Sequence, residues 1–202
     1  MPVSLLDAWA KLGVSIHQAY GLTESCGPGT LLLPEDATSK VGSCGRPQMH
    51  TELKIIDARG KTIPMGSEEP GELLLAGRHM MKEYWNNPKA TAEALIDGWL
   101  HTGDICTGDV EGFITICDRK KDMVISGGEN IYPAELENVL AACPDVQEAA
   151  VIGIPSVKWG ETPLALVVAA TGASPTNETL KQWCKDHLAG YKVPQLYKIV
   201  DH

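Results

Sequence analysis

Residues 118–137 read DRKKDMVISGGENIYPAELE, and this stretch divides the chain into two parts of different character. The charged run from Asp118 to Asp122 holds no apolar residue, so we expect no common core to cross it. Farther on, Pro133 stands at a helix start, with Glu135 near the positive end of the helix dipole. The sequence therefore predicts a first unit over roughly 1–118, a joint over 119–122 and a second unit over 123–202.

The part that follows the charged run has the pattern of a small α+β domain. Apolar residues recur after Pro133 with helical spacing and stop at Pro144. Ser174-Pro175 predicts the start of a second helix, which Gly190 closes. We expect two helices on a small sheet, whose strands are predicted at Ala149–Ile154, Leu164–Ala169 and Tyr197–Val200.

The part that precedes the run is rich in strand signals. Leu5, Leu6, Trp9 and Leu12 fall on one face of a helix that Gly13 ends. From Thr51 to Ile116, apolar runs separated by turn residues predict a small antiparallel β unit that resembles a barrel. The individual predictions are strands at Val14–Ile16, Leu53–Ile56, Glu72–Leu75 and Phe113–Cys117, and a short helix at Lys89–Leu95.

Composition narrows the class of protein. The chain has 202 residues and a formal charge of −9, from 17 basic and 26 acidic side chains. That balance argues against nucleic acid as the main partner, because phosphate backbones require a basic face. No window approaches the ~20 apolar residues of a membrane span, and residues 1–11 lack the features of a signal peptide, so we expect a cytoplasmic protein. The scattered cysteines indicate buried thiols rather than disulfides or a zinc site; they are Cys26, Cys44, Cys106, Cys117, Cys143 and Cys184.

Three short motifs bring reactive groups together. In residues 20–24, YGLTE, Tyr20 has a face for a purine, Thr23 has a donor for a phosphate oxygen and Glu24 has a carboxylate for Mg²⁺. The alternative is a strand-end loop with a satisfied threonine and a solvated glutamate. In residues 98–104, GWLHTGD, Asp104 can accept two hydrogen bonds from a vicinal diol, although aspartate is also common in turns.

The third motif lies in residues 118–137. Gly127 and Gly128 are adjacent and let the backbone approach a ligand closely. The alternative is a simple hairpin turn.

In combination and in this order, the motifs resemble those of a known family. YGLTE at 20–24, GELLLAGRHMMKEYWNNP at 71–88, GWLHTGD at 98–104 and DRKKDMVISGGENIYPAELE at 118–137 are similar to successive core motifs of the acyl-activating, AMP-binding superfamily. The chain looks most like its fatty-acyl or aryl-carboxylate CoA ligases. The resemblance implies the end of a large adenylation domain with a small β-barrel-like subdomain, followed by a small, mobile C-terminal domain.

The resemblance also implies substrates and residue roles. A carboxylic acid reacts with ATP to give acyl-AMP, and coenzyme A then takes the acyl group. Tyr20 and Gly21 would lie against adenine, Thr23 against the α-phosphate and Glu24 against Mg²⁺. Asp104 would accept both ribose hydroxyls, and Arg119 would reach the ribose and phosphates.

The remaining implied roles concern coenzyme A and the hinge. Lys121 occupies the family's hinge position, where either Asp or Lys is usual. Gly127 and Gly128 would line the pantetheine tunnel. Trp159 matches an aromatic residue that contacts coenzyme A in some members, although core packing is nearly as good an interpretation of it.

Two family elements are missing from the 202 residues. No Gly-rich phosphate loop with its Lys precedes Gln18, and the final catalytic Lys should follow Tyr191 by more residues than remain before His202. Lys192 and Lys198 stand in other motif contexts. We therefore expect a fragment that is inactive alone, exposes apolar surface around Leu31–Leu33 and self-associates. An adenylation unit that loads a carrier protein, or a non-catalytic AMP-binding module, remains an alternative.

Overall fold

The computed structural model describes residues 3–200. Its backbone clusters into two compact units, the first over Val3–Lys120 and the second from Lys121 onward. The boundary lies inside the segment 119–122, for which the sequence predicts a joint; rotation there stays a prediction. Within the described residues, none of the helices is both long enough and apolar enough to cross a membrane.

The first unit consists mainly of antiparallel strands in two sheets. One sheet has the order β1-β2-β3, and the other has the order β5-β4-β6-β8-β7 with β9 paired to β8. Among the described residues no pairing joins the outer strands of the larger sheet, so it stays open where the sequence suggested a barrel. The elements are α1 (Val3–Lys11), β1 (Ala19–Leu22), β2 (Gly27–Leu31), β3 (Arg46–Pro47), β4 (Glu52–Ile56), β5 (Thr62–Ile63), β6 (Gly71–Ala76), α2 (Pro88–Ala94), β7 (Leu95–Ile96), β8 (Trp99–Gly108) and β9 (Ile114–Arg119).

The second unit has two α-helices and one mixed sheet, as predicted. The sheet order is β11-β10-β13-β12, with β14 parallel to β13. The elements are β10 (Val124–Ser126), β11 (Glu129–Ile131), α3 (Pro133–Ala141), β12 (Val146–Ser156), β13 (Gly160–Ala169), α4 (Asn177–His187) and β14 (Leu196–Val200).

Each unit has its own apolar core. Ile55, Leu73 and Ile114 belong to the core of the first unit, whereas Leu136 and Leu140 of α3 belong to the core of the second. Full burial of such a side chain contributes about 1.5–3 kcal/mol each relative to leaving it exposed. The helical spacing after Pro133 therefore identified the inward face of α3.

Two sequence predictions of element position are wrong. Val14–Ile16 forms no strand, because the strand that pairs with β2 lies farther on, with Tyr20 opposite Thr30. Helix α4 is capped by Thr176 rather than by Ser174-Pro175, since Thr176 Oγ1 accepts a hydrogen bond from Thr179 N at 3.2 Å. That helix ends at His187, before Gly190.

The predicted apolar surface around Leu31–Leu33 is only partly present. Leu32 is 1% exposed and lies in the interior, whereas Leu33 is 38% exposed. A larger exposed apolar surface lies on the predicted face of α1 and its end, where Leu5 is 44%, Trp9 41% and Leu12 75% exposed. Whether either surface causes self-association stays a prediction.

Candidate functional site

Tyr20 and Asp104 meet in the first unit although 84 positions separate them in sequence. The Tyr20 hydroxyl donates a hydrogen bond of 2.6 Å to Oδ2 of Asp104. Burial of the phenol, reinforced by this hydrogen bond, raises the pKa of Tyr20 well above its usual range. Tyr20 is therefore a neutral donor that holds one oxygen of the carboxylate.

A bulge in β8 presents Asp104. In the pairing of β6 with β8, Glu72 lies opposite Ile105 and Leu74 lies opposite His101. The three residues 102–104 of β8 therefore lie opposite a single residue of β6, which makes a bulge. Gly103 has φ of 71°, which few residues other than glycine adopt. Asp104 does not lie in a turn, which was the alternative for this motif: it lies in β8, where it pairs with Arg119 of β9.

The bulge is fixed by Thr102, which is not among the predicted site residues. Thr102 Oγ1 donates to the carbonyl oxygen of Leu73 at 2.7 Å and accepts from the backbone nitrogen of Asp104 at 3.1 Å. Asp104 as a residue is 5% exposed. Its carboxylate is thus nearly buried and held in one orientation.

Arg119 completes this cluster. It lies directly opposite Asp104 in the pairing of β8 with β9, and its Nε is 3.4 Å from Oδ1 of Asp104. The Arg119 side chain is 59% exposed, so most of the guanidinium is open to a ligand. Both oxygens of Asp104 thus contact protein donors, and each retains a further lone pair for a diol.

The YGLTE segment turns sharply after β1. Thr23, Glu24 and Ser25 form one 3₁₀ turn, which Cys26 ends with φ of 50°. Ser25 is buried, and its Oγ accepts from the backbone nitrogen of Leu22 at 2.9 Å. Thr23 is exposed, so its hydroxyl is available to a phosphate oxygen.

Close packing between strands β1 and β2 requires glycine at position 21. A Cβ at this position would lie 2.5 Å from the carbonyl oxygen of Gly27 across the β1–β2 pair. The strand pairing therefore requires glycine here whether or not adenine lies against it.

Glu24 has a different partner from the Asp104 cluster. Tyr84 donates a hydrogen bond of 2.7 Å to Oε1 of Glu24. Within residues 3–200, no hydrogen bond joins Glu24 to Tyr20, Asp104 or Arg119. No group of three or more His, Cys, Asp and Glu side chains in the described part could hold a metal ion unaided. A Mg²⁺ ion at Glu24 would need other oxygens, such as those of nucleotide phosphates.

A buried glutamate lies beside the bulge and was also not selected from the sequence. Glu72 is 7% exposed, and its carboxylate is 2.9 Å from Nζ of Lys120 and 3.5 Å from Nδ1 of His101. It also accepts a hydrogen bond of 3.3 Å from the backbone nitrogen of Gly103. Glu72 therefore links β6, the bulge and the last residue of the first unit.

In the second unit, Gly127 and Gly128 form the turn between β10 and β11. Their φ values of 61° and 91° suit a two-residue hairpin turn, so the predicted hairpin is present, and the approach of a ligand to these glycines stays a prediction. Gly127 also donates to the carbonyl oxygen of Trp159 at 2.8 Å. A Cβ on Gly127 would lie 2.8 Å from Cε3 of Trp159, so the glycine lets the indole approach the turn.

A cavity of about 320 Å³ lies beside this turn. Trp159 lines it and is 45% exposed, so core packing, the alternative for this residue, is wrong. Thr162 also lines it, and its buried Oγ1 has no hydrogen-bond partner within the described residues. Lys158 and Tyr191 contribute a cation and a second ring. These groups suit a polar aromatic ligand.

The predicted site residues are thus divided between the units. One hydrogen bond and one ion pair bring Tyr20, Asp104 and Arg119 together. Gly127 and Trp159 meet in the second unit, where Gly128 forms the other half of the turn. Lys121 is exposed at the start of that unit.

Comparison with known proteins identifies relatives across the whole chain. A feruloyl-CoA synthase from Amycolatopsis is 44% identical over 202 residues, which are 100% of this chain and 40% of the relative. A long-chain-fatty-acid–CoA ligase from Mycobacterium tuberculosis is 46% identical over 195 residues, covering 96% of this chain and 38% of the ligase. The chain thus spans about 40% of the length of these curated relatives.

Solved structures show the same arrangement of elements. The o-succinylbenzoate CoA synthetase of Bacillus subtilis in complex with its acyl-adenylate intermediate superimposes with a TM-score of 0.92 at 39% identity. The match covers 100% of this chain and 40% of the synthetase. The same enzyme in complex with ATP and magnesium ion gives a TM-score of 0.90 at 38% identity, with coverage of 100% and 41%.

Profiles of the family match both parts of the chain. The profile of the AMP-binding enzyme family matches residues 1–85, and that of the AMP-binding enzyme C-terminal domain matches residues 135–202. Together they cover most of the sequence, and the two CoA ligases named above align over 96% or more of it. The chain therefore belongs to the AMP-binding, adenylate-forming enzyme family.

Proposed function

We propose that this chain is part of an ATP-dependent ligase that joins a carboxylic acid to coenzyme A. The observation that supports this most strongly is the contact of Tyr20 and Arg119 with the nearly buried carboxylate of Asp104. A fixed carboxylate flanked by an aromatic residue and a cation suits a nucleoside monophosphate. The similarity to a feruloyl-CoA synthase and a long-chain-fatty-acid–CoA ligase supports a carboxylic acid as the class of substrate.

The nucleotide is bound by the first unit in this proposal. Asp104 accepts hydrogen bonds from the two ribose hydroxyls, and the ring of Tyr20, on the strand that contains Gly21, lies against adenine. Arg119 and the exposed Thr23 donate to phosphate oxygens. Cationic and hydroxyl donors that face developing charge stabilise a transition state and are usually a large part of catalysis. Thr23 and Arg119, together with Glu24 through a bound cation, are therefore the proposed catalytic groups.

Glu24 is the proposed Mg²⁺ ligand. Mg²⁺ is commonly held by one or two carboxylates together with phosphate oxygens, so a single glutamate beside ATP fits this ion. When bound, the ion would neutralise part of the phosphate charge during transfer.

Coenzyme A is the proposed ligand of the cavity in the second unit. Gly127 lines it, and the adjacent pair of Gly127 and Gly128 would let a narrow chain such as pantetheine approach the backbone. Trp159 gives an aromatic ring a face to stack on, and the unpartnered Oγ1 of Thr162 can bond a polar ligand atom.

The reaction then has two steps. The substrate carboxylate attacks the α-phosphate of ATP and displaces pyrophosphate, which gives acyl-AMP. The thiol of coenzyme A attacks the acyl carbon, displaces AMP and loses its proton, which gives acyl-CoA. Movement of the second unit about Lys121, over the 119–122 hinge, would separate the steps. The domains proposed are therefore 1–118 as the end of the adenylation domain and 123–202 as the mobile domain.

The 202-residue polypeptide by itself is proposed to be inactive. Its sequence offers no Gly-rich loop with a following Lys to hold the triphosphate, and electrostatic stabilisation there is normally large. We expect no carboxylate-dependent exchange of pyrophosphate into ATP above a control without protein. Exchange above that control would contradict this part of the proposal.

Calorimetry with AMP and with coenzyme A tests the proposed ligands. Binding of both favours the ligase, whereas binding of AMP without coenzyme A favours a carrier-loading unit or a non-catalytic AMP-binding module. We also propose a cytoplasmic location, since all six cysteines of the chain are free and suit a reducing compartment.

A further inference from the structure

Segment 81–84 holds Glu24 at two atoms. The backbone nitrogen of Met81 donates to the carbonyl oxygen of Glu24 at 2.7 Å, and the Tyr84 hydroxyl donates to Oε1 of the side chain, also at 2.7 Å. The first contact fixes where the residue lies, and the second fixes where its carboxylate points. Neither contact is local, since about sixty positions lie between the partners.

Tyr84 is in turn fixed by the start of α2. Its backbone nitrogen donates to Oγ1 of Thr91 at 2.9 Å, and that hydroxyl donates to the carbonyl oxygen of Asn87 at 2.9 Å. Asn87 caps the helix, because its Oδ1 accepts from the backbone nitrogen of Ala90 at 3.1 Å. A chain of hydrogen bonds thus runs from the helix cap through Thr91 and Tyr84 to Glu24.

The hydroxyl of Tyr84 acts as donor at neutral pH. Glu24 can only accept when it is ionised, and ionised carboxylate is also the form that binds a hard cation. A glutamate side chain that is already oriented loses less rotamer freedom when it binds an ion.

We propose that Tyr84 is a positioning residue that holds the Glu24 carboxylate for the divalent cation bound with the nucleotide. It occupies Oε1 and leaves the rest of the carboxylate to the cation. This inference rests on the proposed role of Glu24 and adds to it a residue from the 71–88 motif that contacts no substrate.

Paramagnetic relaxation tests this inference without any catalytic assay. Mn²⁺ replaces Mg²⁺ as the probe, in the presence of millimolar ATP, and broadening of the amide resonances of Glu24 and Ser25 reports the bound ion. We expect Tyr84→Phe, which deletes one oxygen, to weaken the Mn²⁺ affinity read from this broadening by about threefold to tenfold. Glu24→Gln should abolish the broadening. Tyr197→Phe is the matched control, because it deletes the same atom in the core of the second unit.

The outcomes separate the inference from the function on which it rests. The titration uses ATP concentrations at which the resonances of the Asp104 cluster shift, so that nucleotide is bound; no broadening in the wild type under those conditions would show that Glu24 is not the cation ligand, which overturns both. Broadening that is equal in wild type and Tyr84→Phe would overturn the positioning role alone. The same holds if Tyr84→Phe lowers the unfolding midpoint but leaves the Mn²⁺ affinity unchanged, since Tyr84 is then merely structural.

Discussion

The Tyr20 hydroxyl and Oδ2 of Asp104 lie 2.6 Å apart, so an aromatic residue of β1 fixes a carboxylate of β8. Arg119 approaches the other oxygen of the same carboxylate from β9. The three side chains come from separate parts of the sequence and form one polar cluster at the edge of the first core. The proposed binding of the nucleotide depends on this cluster.

Tyr20→Phe should destabilise the first unit by about 1–3 kcal/mol, because it leaves a nearly buried carboxylate oxygen without its donor. The effect should depend on pH. Burial and the bond to Asp104 raise the pKa of Tyr20 in the folded state, so this contribution is full below the unfolded-state pKa of about 10 and is lost as pH rises above it.

Urea unfolding of wild type and Tyr20→Phe between about pH 7 and pH 11 measures this dependence. The difference between their free energies of unfolding should be constant up to about pH 9 and shrink above that. A difference that grows with pH would show that Tyr20 is not held in its neutral form.

Gly127→Ala should move Trp159 and destabilise the second unit by about 1–2 kcal/mol. The added Cβ lies 2.8 Å from the indole, and its φ of 61° is costly for an L-residue. Gly128→Ala is the matched control. Its φ of 91° is also costly for an L-residue, whereas no atom lies within 4 Å of the added Cβ.

The indole proton resonance of Trp159 and urea unfolding measure the two effects separately. Both variants should lose stability, and only Gly127→Ala should shift the Trp159 resonance. Equal shifts in both variants would mean that the turn conformation, rather than the contact, places the ring.

Glu72→Gln should loosen the bulge that presents Asp104. The substitution removes the charge opposite Lys120. The free energy of unfolding should fall by about 1 kcal/mol, because the Lys120 side chain is 58% exposed and its ion pair is partly screened by solvent. The Gly103 amide resonance should shift. Glu52→Gln, at an exposed position on β4, is the control and should change neither stability nor the Gly103 resonance. An unchanged Gly103 resonance in Glu72→Gln would contradict the link between Glu72 and the bulge.

Local patterns predicted much of the second unit from sequence. The inward face of α3 follows from the 3.6-residue helical period, because the spacing of Leu136 and Leu140 alone places both side chains on one face of the helix. The position of strand β1 was predicted wrongly. Val14–Ile16 has apolar residues typical of a strand, but only the pairing with β2 determines which residues form β1. Strand position depends on tertiary pairing more than on the sequence of one segment.

The site was predicted through family motifs rather than through geometry. Tyr20 and Asp104 were each selected for a ligand, but their contact is long-range and no spacing rule indicates it. Glu72 and Tyr84 were missed for the same reason, although both lie in the quoted 71–88 motif. Their partners are remote in sequence, and a glutamate or tyrosine in a strand-and-loop segment has no distinguishing pattern.

Nuclear magnetic resonance titration with AMP and with coenzyme A tests the central claim, that Asp104 binds ribose and the Trp159 cavity binds coenzyme A. The variants are Asp104→Ala and Trp159→Ala, with Asp7→Ala on the exposed surface of α1 as control. Each polar contact contributes about 1 kcal/mol, and AMP must also lose its freedom of motion, so we expect a dissociation constant of roughly 1 mM in wild type, which is about −4 kcal/mol.

Asp104→Ala should abolish the AMP response because one carboxylate serves both ribose hydroxyls. Trp159→Ala should leave the AMP response unchanged and weaken only that of coenzyme A, and Asp7→Ala should alter neither. If Asp104→Ala binds AMP as tightly as the wild type does, the ribose assignment is wrong, and with it the proposal that this cluster is the nucleotide site.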